Sequence, residues 1–315
     1  MRVLVVGAGA TGGYYGARLA EAGRDVTFLV RPRRAEMLAE TGLVLESPLG
    51  DLHLASPATV TADTLAAAGA FDLVLLSCKA YDLGGALDDL APAASAGTAI
   101  LPILNGMAHL DALDARFGAG RVLGGSCAIA ATRGPAGEIR HMSAFSTLTF
   151  GERDGTPSER CAAIAALMRD ARFQARHSDK IVLEMWEKWV LLATLAGATT
   201  LMRGTIGDIV GAPGGRAFIT GLHGECLAIA AASGFAPREA VAAQARATLT
   251  AEGSALTASM MRDLEGGGRI EADHIVGDLI ARGQAAAPDT PRPHLDRVFT
   301  ALKAYERRRA RERAS

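Results

Sequence analysis

Lys188 stands in the segment Met185-Trp186-Glu187-Lys188-Trp189, and no charged residue follows it until Arg203. A helix so poor in charge is buried on most faces, so Lys188 is expected where that helix emerges, at a cleft between domains. A partly desolvated lysine suits proton donation to a carbonyl oxygen under reductive attack. An exposed ion pair with Glu184, four residues earlier, is the competing reading. Lys79 and Asn105 lie just beyond apolar runs, Leu73 to Leu76 and Ala99 to Leu104. The C-terminal ends of such strands face the ligand crevice of an α/β sheet. Asn105 can donate and accept, and Gly106 after it permits close approach of a ligand. A solvated lysine and an ordinary Asn-Gly turn are the alternatives. Glu271, in Arg269-Ile270-Glu271-Ala272-Asp273-His274, is either a site carboxylate or an acid favouring a helix start. Ser259 is either a ligand-binding hydroxyl or a small residue on a packed helix.

The elements that must position these groups begin at residue 2. Arg2 to Val6 reads as a strand and runs into Gly7-Ala8-Gly9-Ala10-Thr11-Gly12; a helical stretch to Ala22 follows, then a second strand from Asp25 to Val30. This is a dinucleotide fingerprint in its proper strand–turn–helix setting, which would place a pyrophosphate on the helix start. Gly7, Gly9, Ala10, Thr11 and Gly12 are the expected contacts. An enzyme that binds NAD carries Asp or Glu about 20 residues further on, for the ribose hydroxyls. Here Arg31-Pro32-Arg33-Arg34 stands at that place, with no carboxylate before Glu36. Arg31 can fork two hydrogen bonds onto a 2′-phosphate, which predicts NADPH as the cofactor; a solvated basic loop is the alternative.

The 315 residues suit two domains, and with 49% hydrophobic residues and a net charge of −1 the chain reads as soluble and globular. No basic excess points to nucleic acid. The uncharged run Trp189 to Met202 is too short, and too rich in Thr and Ala, to span a bilayer. No signal peptide is expected ahead of a strand that starts at residue 2. Cys78, Cys127, Cys161 and Cys226 are scattered without metal-ligand spacing and read as buried thiols of a reducing cytoplasm. The histidines pair in no HxxxH spacing, so no metal is expected.

Strand and helix signals alternate to about residue 150. Short β-like runs at Ser126 to Ala131, Glu138 to Met142 and Thr147 to Phe150 then suggest an antiparallel addition to the sheet edge. Ser158 to Ala171 reads as a helix and Gln174 to His177 as a last strand. From Ile181 onward the signals are helical: Ile181 to Met202, Gly214 to Ser233, Pro237 to Leu249, Leu256 to Leu264, Glu271 to Arg282 and Arg292 to Arg313. The fold class is therefore α/β: a Rossmann-type dinucleotide-binding domain, residues 1–179, then an all-helical domain, residues 180–315, with no long linker. The arginine run from Arg307 suits a helix end.

Taken in order, GAGATGG, LLSCKAYD (75–82), LNGM (104–107), MWEKW (185–189), ASMMRDL (258–264), GGRIEADHIVG and DTPRPHL resemble the ketopantoate reductase family, the NADPH-dependent 2-dehydropantoate 2-reductases, across essentially the whole chain. The resemblance implies a helical domain like that of 6-phosphogluconate dehydrogenase. It also implies Lys188 as catalytic lysine, Glu271 as the glutamate that orients substrate or lysine, Lys79 as the strand-end cofactor lysine, and Asn105 and Ser259 as substrate-binding residues, Asn105 also near the cofactor. The implied reaction reduces a 2-oxo acid, ketopantoate first, on the route to pantothenate. The implied partner is a small molecule, with no nucleic acid and no membrane, and a homodimer is a further expectation. One departure stands out. Family members acting on ketopantoate carry asparagines four and eight residues after the lysine, where this chain has Leu192 and Ala196. A site that loses amides holds a hydroxylated substrate less well. Thr194, Thr199 and Thr200 are the nearby candidates to compensate. A paralogue that reduces a more apolar 2-oxo acid, a β-hydroxyacid-type dehydrogenase and a non-catalytic NADPH-binding regulator are the other readings.

Overall fold

The computed structural model describes residues 1–314, which fall into two units. The first comprises Met1–Leu104 and His109–Val182; the second comprises Asn105–Ala108 and the chain from Leu183 onward. The passage at Val182–Leu183 falls inside a helix, Ile181–Met202.

The first unit holds ten strands: β1 (Arg2–Val6), β2 (Asp25–Leu29), β3 (Leu43–Glu46), β4 (Leu52–Leu54), β5 (Ala58–Val60), β6 (Leu73–Leu76), β7 (Ala99–Pro102), β8 (Gly124–Arg133), β9 (Ile139–Gly151) and β10 (Gln174–His177). Five make a parallel sheet in the order β5-β2-β1-β6-β7. Such strands are covered on both faces, which is why β6 and β7 read as unbroken apolar runs and are buried throughout. The strand order reverses between β1 and β6, the place where open α/β sheets bind their ligands.

The other strands correct the sequence reading. The expected β-runs between 126 and 150 are two long strands, and they do not extend the edge of the parallel sheet. They form a second, mixed sheet in which β9 pairs antiparallel with β8 and parallel with β3 and β10, while β4 pairs antiparallel with β3. The helix Ala10–Glu21 ties both sheets together. Tyr14 and Tyr15 on it are fully buried; the Tyr14 hydroxyl shares a 2.8 Å hydrogen bond with Ser146 on β9, and the Tyr15 hydroxyl donates to the Thr147 carbonyl at 2.8 Å. Both tyrosines join one apolar core with Val3, Val5 and Phe28 of the parallel sheet and Leu45, Leu148 and Phe150 of the mixed one.

Among the described residues the strands end at His177, and the second unit is helical. Around Ile181–Met202 it places helices Ile206–Gly211, Gly215–Ala232, Glu239–Leu249, Ser259–Glu265, Asp278–Ala286 and Pro293–Ala314, with a π-helical turn at Asp273–Gly277. Trp186 stacks on Phe235 with ring centroids 5.4 Å apart. The Glu225 carboxylate accepts from the backbone N–H groups of His294 and Leu295, and so caps Pro293–Ala314 from a neighbouring helix. None of the four cysteines is in a disulfide; Cys127, Cys161 and Cys226 are buried as expected, but Cys78 is only half-buried. Burial pushes the Cys226 thiol up to about 12, which leaves it unreactive. No helix among the described residues is long and apolar enough to cross a membrane.

Candidate active site

The first unit assembles the glycine loop from backbone. Gly7 sits at φ +93°, a conformation that side chains resist. A Cβ on Gly12 would lie 1.9 Å from Ser77 Oγ and 2.3 Å from the Gly7 carbonyl oxygen, so the helix can approach β1 and β6 only with glycine there. Ser77, just past β6, fastens the turn by donating to the Val6 carbonyl at 2.9 Å. Gly9 differs: it has an ordinary φ of −87°, and a Cβ there would meet nothing within 4 Å. Gly9 is the N-cap of Ala10–Glu21, with no side-chain cap and no acid in the first turn. The N–H groups of Ala10, Thr11 and Gly12 at this helix start and the open space over Gly9 fit a pyrophosphate.

Arg31 lies two residues past β2 and is the N-cap of the helix Pro32–Thr41. Its side chain is 77% exposed, with Nη2 3.2 Å from Asp82 Oδ1. Arg34 is engaged elsewhere, donating to the Gly137 carbonyl at 2.9 Å in the β8–β9 turn. Of the basic run, Arg31 and Arg33 are therefore the exposed members. Lys79 is half-buried past the end of β6, and its carbonyl accepts from Asp82 N–H at 2.9 Å. Nothing in the sequence singles out Asp82. It sits in the LLSCKAYD segment, but its pairing with Arg31 is a tertiary contact that no local pattern announces.

The second unit places side chains rather than backbone. Lys188 is half-buried on Ile181–Met202. Its neighbour Glu187 is buried and accepts from the Arg238 Nε and backbone N–H at 2.8 and 2.9 Å, while Glu184 lies 4.0 Å from the same guanidinium. Leu192 and Ala196 follow Lys188 at helical spacings of four and eight and so share its face; Leu192 is half-buried and Ala196 buried. The three threonines that could compensate donate instead to carbonyls of their own helix: Thr194 to Val190, Thr199 to Leu195 and Thr200 to Ala196. Thr199 Oγ1 also accepts from Ala258 N–H at 3.4 Å, at the start of the short helix whose first residue is the exposed Ser259.

Glu271 is buried and lies two residues before the π-helical segment, its carbonyl accepting from Ile275 N–H at 2.9 Å. Trp189 Nε1 donates to the Ile275 carbonyl at 2.9 Å, which fastens this turn to the helix of Lys188. Asn105 joins the same unit through Gly106, whose φ is +78° and whose Cβ, were there one, would lie 3.0 Å from His274 Cδ2. His274 is a second residue with no local signal of a role. Burial holds its ring below the ordinary histidine value, against the opposing pull of Glu271 and a hydrogen bond with the Asn105 backbone. No cluster of potential metal ligands occurs among the described residues.

A parallel sheet with a glycine-rich crossover, an uncapped helix start and a helical second unit bearing a half-buried lysine fits a dinucleotide-dependent oxidoreductase. Comparison with known proteins makes this specific. Residues 3–155 match the family "Ketopantoate reductase PanE/ApbA", and residues 180–306 match its C-terminal counterpart. The uncharacterized oxidoreductase YkpB of Bacillus subtilis is 37% identical over 97% of this chain and 99% of its own. The crystal structure of 2-dehydropantoate 2-reductase from Geobacter metallireducens superposes with a TM-score of 0.87 at 30% identity, covering 96% of this chain and 99% of that one. A D-mandelate dehydrogenase, solved with NADH and anilino(oxo)acetate, shares the fold (TM-score 0.86, 19% identity, 98% and 99% covered). The chain belongs to the ketopantoate reductase family and is an oxidoreductase acting on CH–OH groups with a nicotinamide cofactor.

Proposed function

We propose that this protein reduces a 2-oxo acid to a 2-hydroxy acid with NADPH, and that its substrate is 2-dehydropantoate, giving pantoate for pantothenate synthesis. The observation that supports this most is Lys188, half-buried in a helix otherwise without charge from Trp189 to Met202. Gly7, Gly9, Ala10, Thr11 and Gly12 would hold the pyrophosphate, Arg31 the 2′-phosphate, and Lys79 and Asn105 the remainder of the cofactor. When bound, the reduced nicotinamide supplies hydride to C2 of the oxo acid. Lys188 gives its proton to the developing alkoxide, an electrostatic gain realised in the transition state. Glu271 orients Lys188 or a substrate hydroxyl, while Asn105 and Ser259 hold the carbonyl and carboxylate. We extend the reading to a cytoplasmic homodimer, for which light scattering at working concentration should give twice the chain mass.

The test is loss of NADPH absorbance with 2-dehydropantoate, with Lys188→Ala as control. Turnover in the parent that vanishes in the variant supports the reading; equal turnover in both refutes the role of Lys188. A second reading is favoured by Leu192 and Ala196 on the face of Lys188, together with three threonine hydroxyls already engaged by their own helix. Under it the substrate is a more apolar 2-oxo acid, a class close to the anilino(oxo)acetate held by the D-mandelate dehydrogenase of the same fold. A kcat/KM for phenylglyoxylate well above that for 2-dehydropantoate would select it.

A further inference from the structure

We propose that His274 is a positioning residue that locks the Asn105–Gly106 turn in the second unit and thereby sets the direction of the Asn105 side chain. The proposal rests on the reading of Asn105 as a substrate-binding residue. Three observations converge on it. Residues Asn105–Ala108 group with the second unit although Leu104 and His109 on either side group with the first. The contacts of these four residues therefore fall with the second unit. His274 supplies one such contact. Its ring edge lies 3.0 Å (Cδ2) and 3.2 Å (Nε2) from where a Gly106 Cβ would stand, and its carbonyl oxygen 3.0 Å from the same point. The ring also makes a hydrogen bond with the Asn105 backbone that favours the charged ring, which is a bond that the ring donates to a carbonyl.

The element that carries His274 explains its precision. Asp273–Gly277 is a π-helical turn, a rare form that shifts the register of every side chain after it. Glu271, two residues before this turn, lies close enough to His274 to act on its charge, while Trp189 holds the turn through the Ile275 carbonyl. The turn thus sets His274 beside Glu271, and through His274 the Asn105 amide, and it is itself tied to the helix of Lys188. Gly106 is fixed by the same contact. Its φ of +78° and the ring against it strain any side chain placed there. Burial keeps the ring neutral near pH 7, with Glu271, Asp278 and Arg282 the charged groups acting on it, so one ring nitrogen keeps its proton and directs it toward Asn105.

The experiment uses the full chain with and without NADPH. Amide hydrogen exchange of residues 105–108 is measured in the parent, His274→Phe, His274→Gln and Gly106→Ala. His274→Phe fills the space without the hydrogen bond; His274→Gln restores a donor. Exchange is expected to rise about tenfold or more in His274→Phe and Gly106→Ala and to return toward the parent rate in His274→Gln. In turnover of a 2-oxo acid, kcat/KM should fall about 10- to 100-fold in His274→Phe, as for a misplaced contact group, and NADPH affinity should fall by no more than it does in Asn105→Ala. The double variant His274→Phe/Asn105→Ala should be no worse than Asn105→Ala alone, because one residue acts through the other. Unchanged exchange in His274→Phe and Gly106→Ala, or losses that multiply in the double variant, overturn the proposal. Should Asn105→Ala itself turn over like the parent, the substrate role of Asn105 fails, and the exchange arm alone decides whether His274 locks the turn. If His274→Phe does not fold, His274→Gln against Gly106→Ala gives the same contrast.

Discussion

The two units build their contributions from opposite materials. In the first, the candidate cofactor cradle is backbone: a left-handed Gly7, a Gly12 that admits no Cβ, and a helix start that no side chain caps. In the second, the candidate reacting groups are side chains, Lys188, Glu271, Asn105 and Ser259, held by a buried helix, a π turn and a docked loop. A backbone site is defined by what cannot be added to it. A side-chain site is defined by what cannot be removed. Mutations should therefore act in opposite senses in the two units.

The sharpest break is expected in the second unit. Lys188→Ala should lower kcat by about 100- to 10,000-fold, the range for loss of a general acid, while circular dichroism and NADPH binding stay near those of the parent. Loss of NADPH binding in this variant would put Lys188 in the wrong role. Next come two additions in the first unit, identical in chemistry and different in surroundings. Gly12→Ala drives a methyl into Ser77 and Gly7 and should cost about 1–3 kcal/mol of stability, read as a lower Tm. Gly9→Ala meets no protein atom within 4 Å, so its Tm should hold while NADPH affinity falls. A fall in Tm for Gly9→Ala, or none for Gly12→Ala, would erase the distinction between a packing glycine and a ligand glycine.

A smaller effect is expected at Arg31. Arg31→Asp should shift the preference for NADPH over NADH toward NADH by about tenfold or more, from the loss of a charge-assisted contact. Asp82→Asn should act the other way and by less, within a few-fold, because it releases a guanidinium that is 77% exposed and so only weakly paired. Both are read from Kd for the two cofactors.

The smallest effect separates the units by acid. His223 and His274 are both held below the ordinary histidine value of about 6.5 by burial, with Arg246 adding at His223. Their folded values lie under the unfolded one, so protonation favours unfolding: the second unit should be fully stable above about pH 6.5 and weaken as pH falls through it. In the first unit the hydrogen bond from Arg160 holds the Glu152 carboxyl below its ordinary 4.5. That contribution is present above about pH 4.5 and is lost only as pH falls through the folded value. Hydrogen exchange at pH 5.5 should therefore rise in the second unit before the first; the reverse order would contradict the assignment.

Legibility in the sequence follows the same division. The strand Arg2–Val6, the helix start at Ala10 and the helix Ile181–Met202 are readable because glycine spacing and the absence of charge are local signals. Strands β3, β4 and β5, of three or four residues each, leave no such signal, and the pattern around β8 and β9 points to the wrong sheet. Short strands in a mixed sheet owe their existence to partners far along the chain, which a window of sequence does not contain. Glu271 to Arg282 reads as one regular helix, and no local signal announces the π turn at Asp273–Gly277. Asp82 and His274 lie inside recognisable segments, but their importance comes from Arg31 and Gly106, which only the fold brings to them. The engagement of Thr194, Thr199 and Thr200 by their own helix is hidden for the same reason: a hydroxyl's spacing does not say which carbonyl it chooses.

The four residues Asn105–Ala108 carry a consequence for biosynthesis. On a ribosome adding about 5–20 residues per second, the parallel sheet around β1, β6 and β7 can close as soon as β7 has emerged. The adjoining Asn-Gly turn lacks its contact with His274 until that residue is made, about 170 residues later. For that interval, of order ten seconds or more, the nascent chain would carry a nucleotide-binding half next to an unanchored loop. A fragment ending near Val182 should therefore show native-like exchange in its strands but none of the protection at 105–108 that the complete chain acquires. Competence for catalysis would arrive late and all at once, with the C-terminal helices.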